Sequence, residues 1–376
     1  MKGRLIVAAN SAWNIVNFRA GLIRGLQKAG YEVIVAAPRD LASDVRMAEL
    51  EVEEVDILLD RSGRNPLADA RLFLAYRRLM RQIRPQAFLG FTIKPNIYGC
   101  LAARSLGVPA IANVSGLGTA FANRSWLSNF VSSLYRVALK KAQVFFQNPD
   151  DQREFVDHGI VSEAPARILP GSGVDLERFS PVSLPEGGPI FLLVARLLVD
   201  KGVREFVAAA REVRTECPEA RFQLLGPTDD DNPTAITGRE LDSWVSEGVV
   251  EYLGVADDVR AAMGAATVIV LPSFYREGVP RSLLEGGAMG RPLIATDSPG
   301  CRELVVEKEG GIACEPRDVS SLANAMRRII GMTAAEREQM GQAARRLIEE
   351  RFSEERVVEA YLAALAGIAA EADAVG

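Results

Sequence analysis

Short apolar segments alternate with amphipathic helical stretches, stop, and then start again, and this constrains the chain more than any other feature. Residues 4–9 read as a buried strand, followed by a turn, a helix from about 17 to 29 closed by Gly30, and a second strand at 31–37. Further strand–helix units follow at 86–91, 109–114 and 143–147. Strands separated by helices pair in parallel, because each connection has to cross back over the sheet. A Pro/Gly-rich stretch interrupts the series: Pro170-Gly171-Ser172-Gly173, Pro181 and Pro185-Glu186-Gly187-Gly188-Pro189. New strand candidates then appear at 190–194, 221–225, 249–252, 267–271, 292–295 and 311–314, and helical patterns over about 334–351 and 353–370 end the chain. The expectation is an α/β protein of two Rossmann-like halves with a boundary near 170–188. A length of 376 residues agrees, being more than one core normally supports.

Several function classes drop out early. Gly-x-Gly-x-x-Gly follows neither first strand, so the close backbone approach needed by a dinucleotide pyrophosphate is missing and no nicotinamide cofactor is expected. The four cysteines are scattered without a Cys-x-x-Cys pair, which suits buried thiols in a reducing compartment. Asp229-Asp230-Asp231 contains an Asp-x-Asp pattern but lies in a turn-rich loop; it reads as a solvated acidic loop, and no metal is expected. No signal peptide is visible, and no apolar run approaches the roughly 18–20 residues needed to span a bilayer. Net charge is −5, yet residues 1–180 carry 23 basic and 17 acidic side chains while the remainder carry 21 and 32. Between Arg61 and Lys141 there are thirteen basic residues and a single acid, Asp69. Such a run attracts a polyanion, either nucleic acid or an anionic membrane.

Chemistry concentrates after two strands of the second half. Behind strand 267–271 comes Glu277-Gly278-Val279-Pro280-Arg281-Ser282-Leu283-Leu284-Glu285. Pro280 suits the first position of a helix, where its missing N–H costs nothing. The exposed N–H groups of that helix start, with Gly278 allowing close approach, attract a phosphate. Glu277 then lies before the helix and Glu285 about 7 Å along it. One carboxylate can face a sugar while the other accepts two hydrogen bonds from a ribose diol; two glutamates at this spacing can also form a solvated helix face. Behind strand 190–194, Arg196 and Lys201 are placed for a pyrophosphate at a strand's carboxyl end.

The Glu-x7-Glu element resembles the signature of retaining glycosyltransferases of family 4, which have the GT-B fold, and Arg196 and Lys201 resemble that family's Arg-x4-Lys-Gly element. The resemblance implies two Rossmann-like domains whose parallel sheets face a deep cleft. It places an acceptor domain at 1–175, a nucleotide-sugar domain at 176–355, and a helix at 356–376 that packs back on the first domain. It assigns Arg196 and Lys201 to the departing diphosphate, Glu277 to the donor sugar and Glu285 to the ribose. Backbone groups of Gly278, Val279, Pro280 and Arg281 support sugar and phosphate, and the base lies near Tyr252 and Gly254. In the first domain, the stretch from Asn10 to Arg19 stands where members often carry a Gly-Gly loop, and its Asn17-Phe18-Arg19, like Phe91-Thr92-Ile93-Lys94-Pro95-Asn96, is similar to a subgroup that extends lipid-linked oligosaccharides. Acceptor contacts would come from Asn14, Arg19, Lys94, Asn96 and Ser115. Lys94 either meets an acceptor diphosphate or is a solvated loop lysine, and Ser115 stands where many members carry a histidine. The sole histidine, His158, reads as a helix C-terminus.

The implied activity is metal-independent, retaining transfer of a hexose, an N-acetylhexosamine such as GalNAc or GlcNAc, from a UDP-sugar to a polyprenyl-diphosphate-linked saccharide. The nucleotide sugar would be a substrate, with no cofactor. Membrane contact on the cytoplasmic face is expected from 119–141, where Phe121, Trp126, Leu127, Phe130, Val131 and Leu134 interleave with Arg124, Arg136, Lys140 and Lys141. Arg71, Arg77, Arg78, Arg81 and Arg84 supply a second basic surface. The alternatives are a UDP-sugar epimerase on the same fold and a non-catalytic two-domain sugar-binding protein; no nucleic-acid module is visible.

Overall fold

The computed structural model describes residues 2–60, 65–116, 126–164, 166–229, 232–305 and 309–375, with side chains outside 126–130 and 372–375. The chain forms two compact units, Met1–Gly173 with Glu354–Gly376, and Val174–Ser353.

The first unit holds a seven-stranded parallel sheet in the order β3-β2-β1-β4-β5-β6-β7. Its strands are β1 (Gly3–Ala8), β2 (Tyr31–Ala37), β3 (Glu53–Asp56), β4 (Ala87–Phe91), β5 (Ala110–Val114), β6 (Gln143–Phe146) and β7 (Ala166–Ile168). The second unit holds six parallel strands in the order β10-β9-β8-β11-β12-β13. These are β8 (Ile190–Val194), β9 (Arg221–Leu225), β10 (Glu251–Tyr252), β11 (Val268–Leu271), β12 (Leu293–Thr296) and β13 (Gly311–Cys314). Central strands such as β4, β5 and β11 are buried along their whole length, which is why their sequences are unbroken apolar runs rather than alternations. In each sheet the strand order reverses at one place, between β1 and β4 and between β8 and β11. Open α/β sheets bind ligands at that reversal, outside the carboxyl ends of the strands.

The sequence pattern misses two edge strands. β3 reads Glu-Glu-Val-Asp and carries no apolar run, while β7 is three residues long; both are held by pairing to one neighbour. The expected helix at 17–29 is also different. There are two helices, Ala12–Phe18 and Ala20–Lys28, capped at the start by Ser11, whose Oγ accepts from the Asn14 amide at 3.1 Å. The chain turns at Arg19 because that side chain is drawn inside, 3 % exposed, with its guanidinium 4.2 Å above the Phe91 ring.

The last helix, Glu354–Val375, completes the first unit. Val357, Tyr361, Ala364, Leu365 and Ile368 repeat at helical spacing and are buried with β1, β2 and β4 residues in one core. Tyr361 lies 4.9 Å from the Phe145 ring and its hydroxyl accepts from Asn113 Nδ2 at 3.1 Å. Gly25 admits the helix: a Cβ there would stand 2.5 Å from a Val358 methyl.

Candidate active site

In the second unit the loops after β8 and β11 are locked together. Gly202 has φ +75°, and a Cβ on it would lie 2.1 Å from the Pro272 carbonyl oxygen, so only glycine lets the two loops touch. The Ser273 hydroxyl and the amides of Phe274 and Tyr275 donate to the Asp200 carbonyl at 3.1–3.2 Å. This contact brings Lys201 and Glu277 into a salt bridge with side chains 14 % and 12 % exposed. Ser273 Oγ is also 2.9 Å from Glu277 Oε1, the same oxygen that Lys201 grips, and Lys201 Nζ stands 4.8 Å over the Tyr275 ring. Thr296 and Ser298 in turn donate to the Ser273 carbonyl, fixing the loop from β12. Burial raises the Asp200 carboxyl above its usual range against the pull of Lys201, and the charge of Glu277 adds to the rise.

Pro280 caps the helix Arg281–Ala288, one position earlier than expected. The helix approaches β11 closely, since a Cβ on Gly286 would meet Ile269 at 2.4 Å. Glu285 lies on it and accepts from Arg281 Nε at 2.9 Å, with Nη2 of the same guanidinium 2.8 Å from that oxygen in a salt bridge. Even so, burial outweighs Arg281 and holds the Glu285 carboxyl above its ordinary pKa. An ionised carboxylate kept there costs stability, which suits a group retained for binding. Glu285→Gln is therefore expected to raise donor KM about 10- to 100-fold, as a charged hydrogen bond is lost. Its Tm at neutral pH should match or exceed the wild type's. Because the folded pKa is raised, that stability difference shrinks as pH falls towards the unfolded carboxyl's value and is gone below it; melts across pH together with donor titrations check both.

Arg196 is paired differently from Lys201. Its guanidinium is half exposed and bonded to Asp229 at 3.0 Å. Asp229 is thereby an ion-pair partner rather than a free acid, and Asp230 and Asp231 lie outside the described residues. Tyr252 and Gly254 hold the neighbouring loop: the Tyr252 hydroxyl donates to the Gly226 carbonyl at 3.0 Å and the Gly226 amide to the Gly254 carbonyl at 2.9 Å.

In the first unit a cavity of about 200 Å³ opens at the ends of β1, β4 and β5, lined by residues that include Asn10, Thr92, Lys94, Asn96, Ser115 and Tyr135. Lys94, Asn96 and Ser115 thus come together, whereas Asn14 and the buried Arg19 are not among the described lining residues. Lys94 is no solvated loop lysine: its ammonium is 2.7 Å from Asp69, with both side chains under 20 % exposed. Sequence reasoning passed over Asp69 as a binding element, although its being the one acid in a run of thirteen cations was the available signal. It also passed over Ser273 and Asp200, which carry no motif of their own.

The expected membrane segment is only partly present among the described residues. Arg124 and the side chains of Trp126 and Phe130 lie outside them. Val131 and Leu134 pack against the first unit's core, so they do not form a lipid face. Arg136 donates to the carbonyls of Gly159 and His158, whereas Lys140 and Lys141 are exposed. His158 ends the helix Pro149–Asp157, with Nδ1 2.8 Å from the Glu154 carbonyl oxygen.

Comparison with known proteins points to glycosyltransferases. Residues 188–332 match the family described as glycosyl transferases group 1, and residues 5–148 match the glycosyl transferase 4-like family. The chain is 26% identical over 338 residues, 85% of its length and 87% of the relative's, to an N,N'-diacetylbacillosaminyl-diphospho-undecaprenol alpha-1,3-N-acetylgalactosaminyltransferase of Campylobacter jejuni. It is 25% identical, over 70% of its length and 71% of the relative's, to a UDP-Gal:alpha-D-GlcNAc-diphosphoundecaprenol alpha-1,3-galactosyltransferase of Escherichia coli. A glycosyltransferase structure from Rickettsia africae superposes with a TM-score of 0.81 at 16% identity, covering 97% of this chain and 98% of that one.

Proposed function

The chain belongs to the group 1, 4-like glycosyltransferases, and from that premise we propose that it moves an N-acetylhexosamine from a UDP-sugar to a saccharide carried on polyprenyl diphosphate, with retention at the anomeric carbon. The observation that carries this is the Lys201–Glu277–Ser273 cluster at the strand-order reversal, with Glu285 on the adjoining helix. Both matched relatives are named for transfer onto an undecaprenyl diphosphate acceptor, which supports that class of acceptor here.

In this mechanism Lys201 and the amides at the start of the Arg281 helix meet the negative charge that develops as the nucleoside diphosphate departs. Glu277 holds sugar hydroxyls near the reacting carbon, oriented by Ser273. The departing diphosphate takes the acceptor hydroxyl's proton on the same face, so no histidine base is required, and catalysis rests on positioning and charge. Glu285 takes the ribose diol. The nucleotide sugar is consumed as a substrate, without a cofactor. A screen of UDP-, GDP- and TDP-sugars against detergent-solubilised lipid-linked acceptors tests the proposal. UDP release from one donor, dependent on acceptor and lost in Glu277→Gln, is the expected result; release without acceptor would instead favour an epimerase.

Among the described residues no helix is long and apolar enough to cross a membrane. Peripheral attachment is supported by the helix Pro66–Ile83, where Leu67, Arg71, Leu74, Arg78 and Arg81 form one exposed stripe without an acid. Two leucines that enter the headgroup layer beside three guanidinium groups suit an anionic bilayer surface. Retention on vesicles containing phosphatidylglycerol at low salt should fall about tenfold or more in the Arg71→Glu, Arg78→Glu double variant. Equal retention of the two proteins would remove this helix from the contact.

A further inference from the structure

The helix that carries Glu285 is finished by two arginines. A helix C-terminus leaves carbonyls without partners, and a glycine turn or water normally completes them. At the end of Arg281–Ala288, Arg345 donates through Nη1 to the Ala288 carbonyl at 2.7 Å, reaching across from the helix Ala334–Arg351. Arg291 donates through Nε to the Met289 carbonyl at 3.3 Å. The Met289 amide in turn donates to the Glu285 carbonyl at 3.1 Å, so both cations act about one helical turn from that carboxylate.

Both guanidinium groups also hold the segment 174–183. Arg345 Nη1 donates to the Phe179 carbonyl at 2.8 Å and lies 3.4 Å from that of Leu176, while its Nε pairs with Glu349 at 2.5 Å. Arg291 Nη2 donates to the carbonyls of Val182 and, at 3.1 Å, Ser183, and its Nη1 donates to that of Ala266 at 3.0 Å. The Val182 amide adds a bond to the Met289 carbonyl at 3.3 Å. There is little slack in this junction, since a Cβ on Gly341 would stand 2.0 Å from the Gly290 carbonyl oxygen. Arg178, on the same segment, is near enough to Glu285 for its charge to oppose the rise that burial causes in that carboxyl.

Arg291 is fully buried, and its hydrogen bonds to described residues all go to backbone carbonyls. Burying a cation without a carboxylate partner is costly, and a neutral cap would close the helix for less. A neutral cap would not, however, hold two elements at once in the fixed geometry of a planar fork.

We propose that Arg345 and Arg291 are positioning residues for Glu285: by tying the end of its helix to residues 174–183 they fix where the carboxylate stands, and with it how strongly the site distinguishes a ribose from a deoxyribose. This rests on the reading of Glu285 as the partner of the ribose diol.

Calorimetric titration of the full-length chain with UDP and with 2′-deoxy-UDP is the test. The wild type should bind UDP about tenfold more tightly, because the analogue lacks one hydrogen bond to a charged acceptor. Arg345→Lys keeps the charge without the fork, and should cut that preference to about twofold, chiefly by weakening UDP. Glu285→Gln should cut it similarly, and adding Arg345→Lys to Glu285→Gln should cut it no further. Thermal melts establish that each variant is folded. In folded Arg345→Lys, an undiminished preference, or loss of affinity for both nucleotides by one factor, would overturn the proposal alone; the second result would mark the arginine as a structural cap. No binding of either nucleotide by the wild type would overturn the donor reading, and the proposal with it.

Discussion

Lys201→Ala should lower kcat by about three orders of magnitude, and Glu277→Gln by a similar factor, while the double variant should be little worse than either alone. A single preorganised charge or donor at a site of developing charge contributes about 10²- to 10³-fold. Lys201 is placed for the upper end of that range, because its ammonium is held by a carboxylate that itself has a substrate role. The two side chains share a salt bridge, with both almost buried, and Ser273 completes the oxygen they share. Removing either partner leaves the other charged group misdirected, so the losses overlap instead of adding. Single-turnover rates of the four proteins in a double-mutant cycle provide the check. Strict additivity would mean that Lys201 and Glu277 act on the donor independently, and that their pairing is incidental.

Gly300→Ala should be the most damaging small substitution near the site. Gly300 has φ +85°, and a Cβ on it would stand 2.0 Å from the Gly278 carbonyl oxygen and 2.6 Å from that of Glu277. Both contacts are with backbone, which cannot step aside as the tip of a flexible side chain can. The left-handed conformation and the clash together should cost about 3–5 kcal/mol. For a unit of this size that is a fall in Tm of roughly 10 °C. Activity should decline well below the melting temperature, because the loop that must move is the one presenting Glu277. Thermal melts and rates measured on the same preparation separate the two effects; an unchanged Tm would show that the loop has more room than its backbone contacts imply.

The residues differ in how much of this was legible from sequence. Buried parallel strands announce themselves, since being covered on both faces demands unbroken apolar runs, and β4, β8 and β11 could be placed to within a residue. β3 could not, because an edge strand that pairs with one neighbour can be Glu-Glu-Val-Asp. The break at Arg19 was hidden for a different reason: an arginine in a helical pattern reads as surface, and only the tertiary contact with Phe91 shows that it turns inward. In the second unit, the spacing of Glu277 and Glu285 and of Arg196 and Lys201 pointed to a phosphate-handling site. The pairings were not visible, because Lys201 bonds to a residue 76 positions away and Arg196 faces Asp229 instead. Lys94 is the clearest case. A lysine at a strand end has two readings, an anion receptor or a solvated loop residue, and neither includes a half-buried aspartate 25 positions earlier.

The helix Glu354–Val375 has a consequence for how the molecule is made. It belongs to the first unit, although the whole of the second unit lies between it and the rest of that core. On the ribosome, residues 1–173 emerge first but lack Val357, Tyr361, Leu365 and Ile368, so they wait with one face of their sheet incompletely covered while the later unit finishes. The half of the protein synthesised first is therefore the half that folds last. A chain truncated after residue 353 and released from the ribosome should yield a protease-resistant second unit attached to a protease-sensitive first one, and a chain that also carries residues 354–376 should make both units resistant.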